Sequence, residues 1–227
     1  LRILGRQSKL LQIDELNMPS DALNFFKSSI NKQNGLVLVT GPTGSGKTST
    51  LYSAINSISD LGLNIMTIED PIEIKYPKIT QTQVNTKIGL SFAKGLKAIL
   101  RQDPDVILIG EIRDGETAEI ATQSSLTGHL VLSTLHTNTA AGAITRLQDL
   151  GVDAFLLAST VRGILSQRLV RKLCVSCREK VKPNDFDKET LCLKKGQTIY
   201  EAKGCADCNW TGYSGRQALF ELVPVAS

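Results

Sequence analysis

Gly41-Pro42-Thr43-Gly44-Ser45-Gly46-Lys47-Thr48 fits the pattern G-x-x-x-x-G-K-[ST] and stands between an apolar run, Leu36 to Val39, and a stretch whose Leu51, Ala54, Ile55 and Ile58 keep helical spacing. That placement gives the motif its meaning. Glycines let the backbone wrap until several N–H groups point inward, and the helix that follows offers its positive end to phosphate. Lys47 would reach the β- and γ-phosphates of a nucleotide, and the Thr48 hydroxyl would ligate magnesium. Gly41, Pro42, Thr43, Gly44, Ser45, Gly46, Lys47, Thr48 and Ser49 are the candidate nucleotide-binding residues.

Outward from the loop, short apolar runs alternate with helical patterns. Leu36 to Val39, Ile65 to Ile68, Val106 to Ile109 and Leu130 to Leu132 read as buried strands. Helices are expected near Ser20 to Ile30 with Ser20 as cap, at Phe92 to Leu100, at Ala118 to Leu126, about Thr139 to Leu150, and from Asp153 to Leu165. The alternation predicts an α/β fold with a mostly parallel sheet, of the P-loop type. Residues 1–34 read as a linker and lead-in helix, 35–168 as the nucleotide-binding core, and 169–227 as a small cysteine-bearing module with a C-terminal segment. Because the chain starts without Met and stops at Val-Pro-Val-Ala-Ser, it is read as part of a longer protein.

A phosphate loop needs acids nearby, at the C-terminal ends of neighbouring strands. Val106-Ile107-Leu108-Ile109-Gly110-Glu111 supplies one, with Glu111 as the candidate general base, although Gly110 occupies the place where an Asp commonly follows the apolar run. Thr67-Ile68-Glu69-Asp70-Pro71-Ile72-Glu73 supplies three more carboxylates just past a strand, with Pro71 fixing the turn. Each of those three could equally cap a helix or form an ion pair. Both histidines flank one strand in Thr127-Gly128-His129-Leu130-Val131-Leu132-Ser133-Thr134-Leu135-His136. His136 falls at its ligand-side end, where an imidazole can sense a γ-phosphate, and His129 falls at the other end.

The blocks G-P-T-G-S-G-K-T, T-I-E-D-P-I-E, R-Q-D-P-D-V-I-L-I-G-E-I-R-D and T-G-H-L-V-L-S-T-L-H-T-N resemble, in this order, the Walker A, Asp box, Walker B and His box of the secretion ATPase superfamily. Within it the chain is similar to the type II secretion and type IV pilus assembly ATPases. The resemblance implies a RecA-like ATPase domain that binds ATP and Mg2+ and works as a homo-oligomer, a hexamer in the full-length protein. It also implies a cytoplasmic protein, peripheral on the inner membrane, that engages inner-membrane platform and adaptor proteins. Site roles follow position by position: Lys47 and Thr48 on phosphate and magnesium, Glu111 as catalytic glutamate, Glu69 to Glu73 around the metal, and His136 as γ-phosphate sensor. Arg101, Arg113 and Arg216 stand where relatives place arginines around the nucleotide, whereas Lys97 stands where many have Arg. Arg113 could instead pair with Asp114 or Glu116. Gly110 is usual for this family.

Five cysteines do not suit a fully paired secreted framework, and no apolar run approaches the roughly 18 residues of a membrane-spanning helix. Cys174-Val175-Ser176-Cys177 and Cys205-Ala206-Asp207-Cys208 make two C-x-x-C knuckles, whose four thiolates suit a closed tetrahedral Zn2+ site. Redox pairs are the alternative, and Cys192 stands outside both knuckles. The same four-cysteine element occurs in assembly ATPases and is absent from typical retraction motors. The net charge of +4 is concentrated: residues 162–182 carry seven positive side chains against Glu179, a local +6 that could face acidic lipids or an acidic partner. Aromatic residues at 5% argue against base-stacking platforms, so no nucleic acid is expected. A nucleic-acid translocating ATPase, a retraction-type ATPase and a nucleotide-gated scaffold remain the competing functions.

Overall fold

Four apolar strands organise the first part of the molecule: β1 (Gly35–Thr40), β2 (Ile65–Glu69), β4 (Val106–Ile109) and β5 (Leu130–Leu135), all of whose residues are buried. Two further strands, β3 (Thr80–Gln83) and β6 (Val161–Leu173), extend the sheet, and every neighbouring pair in the series β3-β2-β4-β5-β1-β6 is parallel. The computed structural model describes residues 11–194 and 196–225. They form two units: one runs to Arg168 and resumes at Ala218, and the other is Leu169–Gln217.

Alternation along the strands sends side chains to two separate cores. Leu36, Leu38, Met66, Ile68, Ile107, Ile109, Val131 and Leu135 join Phe92, Leu96, Ala118, Ala143, Leu147 and Leu157. Those partners come from α3 (Phe92–Ile99), α4 (Gly115–Leu126), α5 (Ala141–Asp149) and α6 (Ala154–Thr160). Val37, Val39, Ile65, Val106, Leu108, Leu130 and Leu132 face the other way, onto Phe26, Ile30, Leu51, Ala54, Ile55 and Ile58 of α1 (Ser20–Ile30) and α2 (Lys47–Ile58). Helices thus cover both faces, which is the doubly wound arrangement expected of a parallel sheet. Its C-terminal strand ends form one edge, where ligands of such sheets sit.

In the second unit β7 (Glu179–Val181) and β8 (Ile199–Glu201) pair antiparallel, with α7 (Asp185–Thr190) between them in sequence. β9 (Tyr213–Pro224) then brings the chain back to the outer edge of the large sheet, beside β6.

Four expectations change. The helix expected from Asp153 to Leu165 stops at Thr160, and Val161 begins β6, because the free edge of β1 takes residues 161–166 as a parallel partner. Ser20 does not cap α1: it is the first helical residue, after Pro19, and makes no cap hydrogen bond. Within the expected linker, Ile13 and Leu16 are buried in a short 3-10 turn and belong to the core, while residues 1–10 lie outside the described part. The C-terminal segment groups with the first unit from Ala218 onward, and Phe220 and Leu222 pack against the core that holds α1 and α2. The lead-in helix is therefore part of the fold. Phe26, only 1% exposed, makes this testable: Phe26→Ala is expected to lower stability by about 3–5 kcal/mol in urea unfolding. A loss below about 1 kcal/mol would show that α1 merely adheres to the sheet.

Candidate functional site

The phosphate loop leaves the end of β1 and enters α2, with Gly41, Gly44 and Gly46 all at positive φ (141°, 78° and 87°). Gly41 is obligatory for a second reason: a Cβ there would collide with the Gln167 carbonyl oxygen and sit 2.8 Å from Ser45 Oγ. Lys47 folds back over the loop, its Nζ donating to the carbonyls of Gly41 (2.9 Å) and Pro42 (3.1 Å). Burial lowers the Lys47 pKa below the usual lysine value, and the charges of Glu111 and Glu73 work the other way. Ser45 Oγ is buried without a hydrogen-bond partner. A buried cation, an orphaned hydroxyl and a cradle that a Cβ would fill suit a polyanionic ligand. Thr48 lies half-buried at the start of α2, and Pro42, Thr43 and Ser49 are exposed.

Glu111 follows β4 on the same sheet edge and is largely covered, its side chain 13% exposed. The turn carrying it is pinned by β5: Ser133 Oγ donates to Ile109 O (2.9 Å), Thr134 Oγ1 to Gly110 O (2.7 Å), and Ile112 N to Thr134 O (3.1 Å). Arg113 forms an ion pair with Glu111 and lies 3.7 Å from Asp70. Its partner is thus neither Asp114, which caps α4 by accepting from Thr117 N, nor Glu116, which pairs with Lys97 at 2.7 Å. The hydrogen bond to Glu111 raises the Arg113 pKa further. His136 Nε2 stands 3.5 Å from the other oxygen of Glu111.

Glu69, 3% exposed, is the most buried acid of the T-I-E-D-P-I-E block. Its Oε1 accepts from Thr67 Oγ1 (2.6 Å), Tyr52 OH (2.7 Å) and Gln81 Nε2 (3.3 Å). Gln81 also donates to Tyr52 OH and Ile74 O and accepts from Tyr76 N, tying the loop that carries Glu73 to α2. The Asp70–Pro71 peptide in that loop is cis. A Cβ at Gly110 would lie 3.3 Å from Glu69 Cα and 3.4 Å from Ile68 O, a tight fit that a side chain could take only if the Glu69 backbone gave way by a few tenths of an ångström. An Asp at 110 would press on the buried glutamate.

A loop, a covered glutamate and a second acid cluster on one parallel-sheet edge can be compared with known proteins. The sequence profile of the family described as "Type II/IV secretion system protein" matches residues 1–227. The chain belongs to that family. It is 53% identical over 223 residues to the type II secretion system protein E of Dickeya dadantii (strain 3937), covering 98% of this chain and 45% of that protein. It is 48% identical over 229 residues to the type IV pilus assembly ATPase PilB of Thermus thermophilus, covering 99% of this chain and 26% of that protein. The crystal structure of the pilus retraction motor PilT with bound ADP superposes with a TM-score of 0.69 at 32% identity, over 98% of this chain and 55% of that one. The chain thus spans less than half the length of these curated relatives.

Other candidate residues of this secretion-family chain are placed differently. Arg101 lies in the turn between α3 and the start of β4, at the sheet edge opposite the phosphate loop, and so is not brought to the loop of its own chain. His129 immediately precedes β5 on that same far edge, its Nδ1 3.1 Å from Ser124 O. In the second unit Cys174, Cys177, Cys205 and Cys208 place four sulfurs within 4.8 Å of one another, and exposed Cys192 is outside the group. The Gly204 amide donates to Cys177 Sγ and the Cys205 and Gly212 amides to Cys208 Sγ, with N···S distances of 3.2–3.3 Å. Against burial, which disfavours the charge, the amides of Cys205 and Gly212 hold the Cys208 pKa down to about 6. The donor set fits a metal ion.

Sequence reading did not find Tyr52, Gln81 or Gln167. Tyr52 reads as one more apolar member of α2, and Gln81 stands in a polar run with no strand signal. Tyr52 is fully buried, and burial followed by its bond to Glu69 raises its pKa above the ordinary 10.0. The neutral hydroxyl therefore contributes fully below about pH 10, and its contribution is lost as pH rises past that point. Tyr52→Phe is expected to cost about 1–3 kcal/mol at neutral pH, measured by urea unfolding, and the deficit should shrink above about pH 10. Equal stability at neutral pH would mean that the Glu69 network is not under load.

Proposed function

We propose that this chain is the ATP-hydrolysing part of a motor subunit that drives pseudopilus or type IV pilus assembly in a bacterial secretion or pilus machine. The observation that carries the reading is the phosphate cradle itself, with buried Lys47 folded over the Gly41 and Pro42 carbonyls at the strand edge where Glu111 and the Glu69 to Glu73 block also lie. The shared strand edge supports treating the cradle and these acids as one site. Gly41 to Ser49 hold the phosphates of ATP, and Thr48 with the Glu69 to Glu73 block holds magnesium, which when bound neutralises charge on the phosphates. Glu111 is the general base that orients and deprotonates the attacking water, and His136, on its second oxygen, registers the γ-phosphate.

Arg113 gives the cycle a resting state. While it pairs with Glu111 it occupies one of the carboxylate's oxygens, so productive hydrolysis requires Arg113 to leave Glu111 for another anion. Arg101 and Arg216 act on a nucleotide held by another copy, in a homo-oligomer that is a hexamer in the full-length protein. The position of Arg101 away from its own phosphate loop supports that division. The partners are inner-membrane platform and adaptor proteins, and the protein is cytoplasmic and peripheral on that membrane. Acidic lipid is a contact of the basic 162–182 stretch, and nucleic acid is not a partner.

The four cysteines bind Zn2+. What supports this, beyond sulfur geometry, is that among the described residues of Leu169–Gln217 only Cys174 and Cys208 are buried apolar side chains. A unit without an apolar core needs a crosslink or a metal to fold. A retraction-type motor is the second reading, favoured by the likeness to PilT, while the four-cysteine element favours assembly.

Glu111→Gln in the whole protein is expected to leave ATP affinity within about threefold and to lower turnover about 10²- to 10⁴-fold, read in a phosphate-release assay. Unchanged turnover would remove Glu111 from the mechanism. Elemental analysis should find one zinc per chain, and a strong chelator should expose four thiols to a thiol reagent together with loss of structure in the cysteine unit. A metal-free protein with that unit intact would overturn the zinc assignment.

A further inference from the structure

Gln167 stands one residue beyond the Thr40–Ser166 pair of β1 and β6, directly behind the phosphate loop. Its side chain is buried at 3% exposure and both ends of the amide are engaged. Nε2 donates to Ser45 O at 2.8 Å, and Oε1 accepts from Thr50 Oγ1 at 2.7 Å. Its own carbonyl oxygen closes the space above Gly41. One residue thus touches the loop where it leaves β1, near its apex, and in the first turn of α2.

The bond to Ser45 has a directional consequence. In a trans peptide the carbonyl of one residue and the N–H of the next point opposite ways. Holding the Ser45 carbonyl toward Gln167 turns the Gly46 N–H away from it, toward the inside of the cradle, and Gly46 at φ 87° completes the turn into α2. The Thr50 bond fixes the other end of the amide, so the side chain cannot rotate to release Ser45 without breaking two buried hydrogen bonds.

We infer that Gln167 is a positioning residue for the phosphate site: it aims the Gly46 N–H into the cradle and thereby sets affinity for the phosphate chain of the nucleotide. The inference rests on the nucleotide-binding reading above. It is specific to an amide. Met at 167 matches the length and offers neither bond, whereas Glu keeps an acceptor for Thr50 but sets a carboxylate oxygen against the Ser45 carbonyl. Glu should therefore rescue nothing.

The test is calorimetric titration of the whole protein with ADP, paired with thermal unfolding and steady-state ATP hydrolysis. Gln167→Met is expected to weaken ADP about tenfold or more and to raise KM for ATP comparably, with kcat within about threefold of the parent. Gln167→Glu should weaken ADP at least as much, and Thr50→Val, which leaves the Ser45 bond in place, about two- to threefold. A merely structural role would lower the melting temperature of the Met variant and leave its ADP affinity within about twofold of the parent, and that result overturns the inference. Should the Met variant fail to unfold cooperatively, Thr50→Val decides: a loss of about twofold or more with an unchanged melting temperature supports the clamp, and parental affinity overturns it. Failure of the parent itself to bind ADP is a different outcome, since it overturns the nucleotide-binding reading and the clamp with it.

Discussion

Everything at the candidate site depends on how closely the backbone can wrap between β1 and α2. Gly41 lies so near the Gln167 carbonyl that no side chain fits, and the loop closes with Lys47 Nζ on the carbonyls of Gly41 and Pro42. Such a turn brings partial positive charge from N–H groups and a full positive charge from lysine into a partly dehydrated space. The cost of burying Lys47 shows in its lowered pKa. Burial disfavours that charge and Glu111 and Glu73 offset it in part, which makes the cradle a place suited to a polyanion.

The acids divide into two kinds by their surroundings. Glu69 is firmly held: three donors converge on one oxygen, and Gly110 of the neighbouring strand packs closely against its backbone. Glu111 is held by groups that can leave, a half-exposed His136 and an exposed Arg113 whose partner set includes Asp70. A fixed acid suits a structural or metal-holding duty, and an acid with removable partners suits proton transfer. The same contrast bears on Gly110, which reads as a defect beside Glu111 and lets the strand sit close against Glu69.

Elements buried on both faces were legible because their sequences are continuous apolar runs: β1, β2, β4 and β5 start within a residue of their expected places. What failed was decided by partners distant in sequence. Thr80-Gln81-Thr82-Gln83 carries no apolar signal, and it forms β3 because β2 offers an open edge and Gln81 satisfies Glu69, Tyr52 and Ile74 at once. Residues 161–165 continue a helical spacing, yet β1 captures them. At the site, the P-loop, Glu111 and His136 could be read from motif and strand position. Gln167 could not, since its role comes from a loop more than a hundred residues earlier and its type is ordinary at a strand end.

The basic stretch shows how a charge count changes meaning once side chains have addresses. Of the seven positive residues in 162–182, Arg162 donates to the carbonyls of Asn34 and Ser159, and Arg168 donates to Asn138 O. Arg171 stacks over Tyr213 at 3.9 Å and Arg178 over Tyr200 at 4.7 Å. Those four arginines are engaged within their own units, where a guanidinium can spread its charge over carbonyls or a ring face. Lys172, Lys180 and Lys182 are exposed, and a compact ammonium on a flexible stem is the form of positive charge best suited to a diffuse anionic surface. A local +6 read as one patch is thus two populations, arginines fixed on carbonyls or ring faces and exposed lysines on flexible stems. Carbonyls and ring faces leave a guanidinium its full charge, so all seven stay sensitive to salt, and the arginines differ from the lysines in being held in place by their partners.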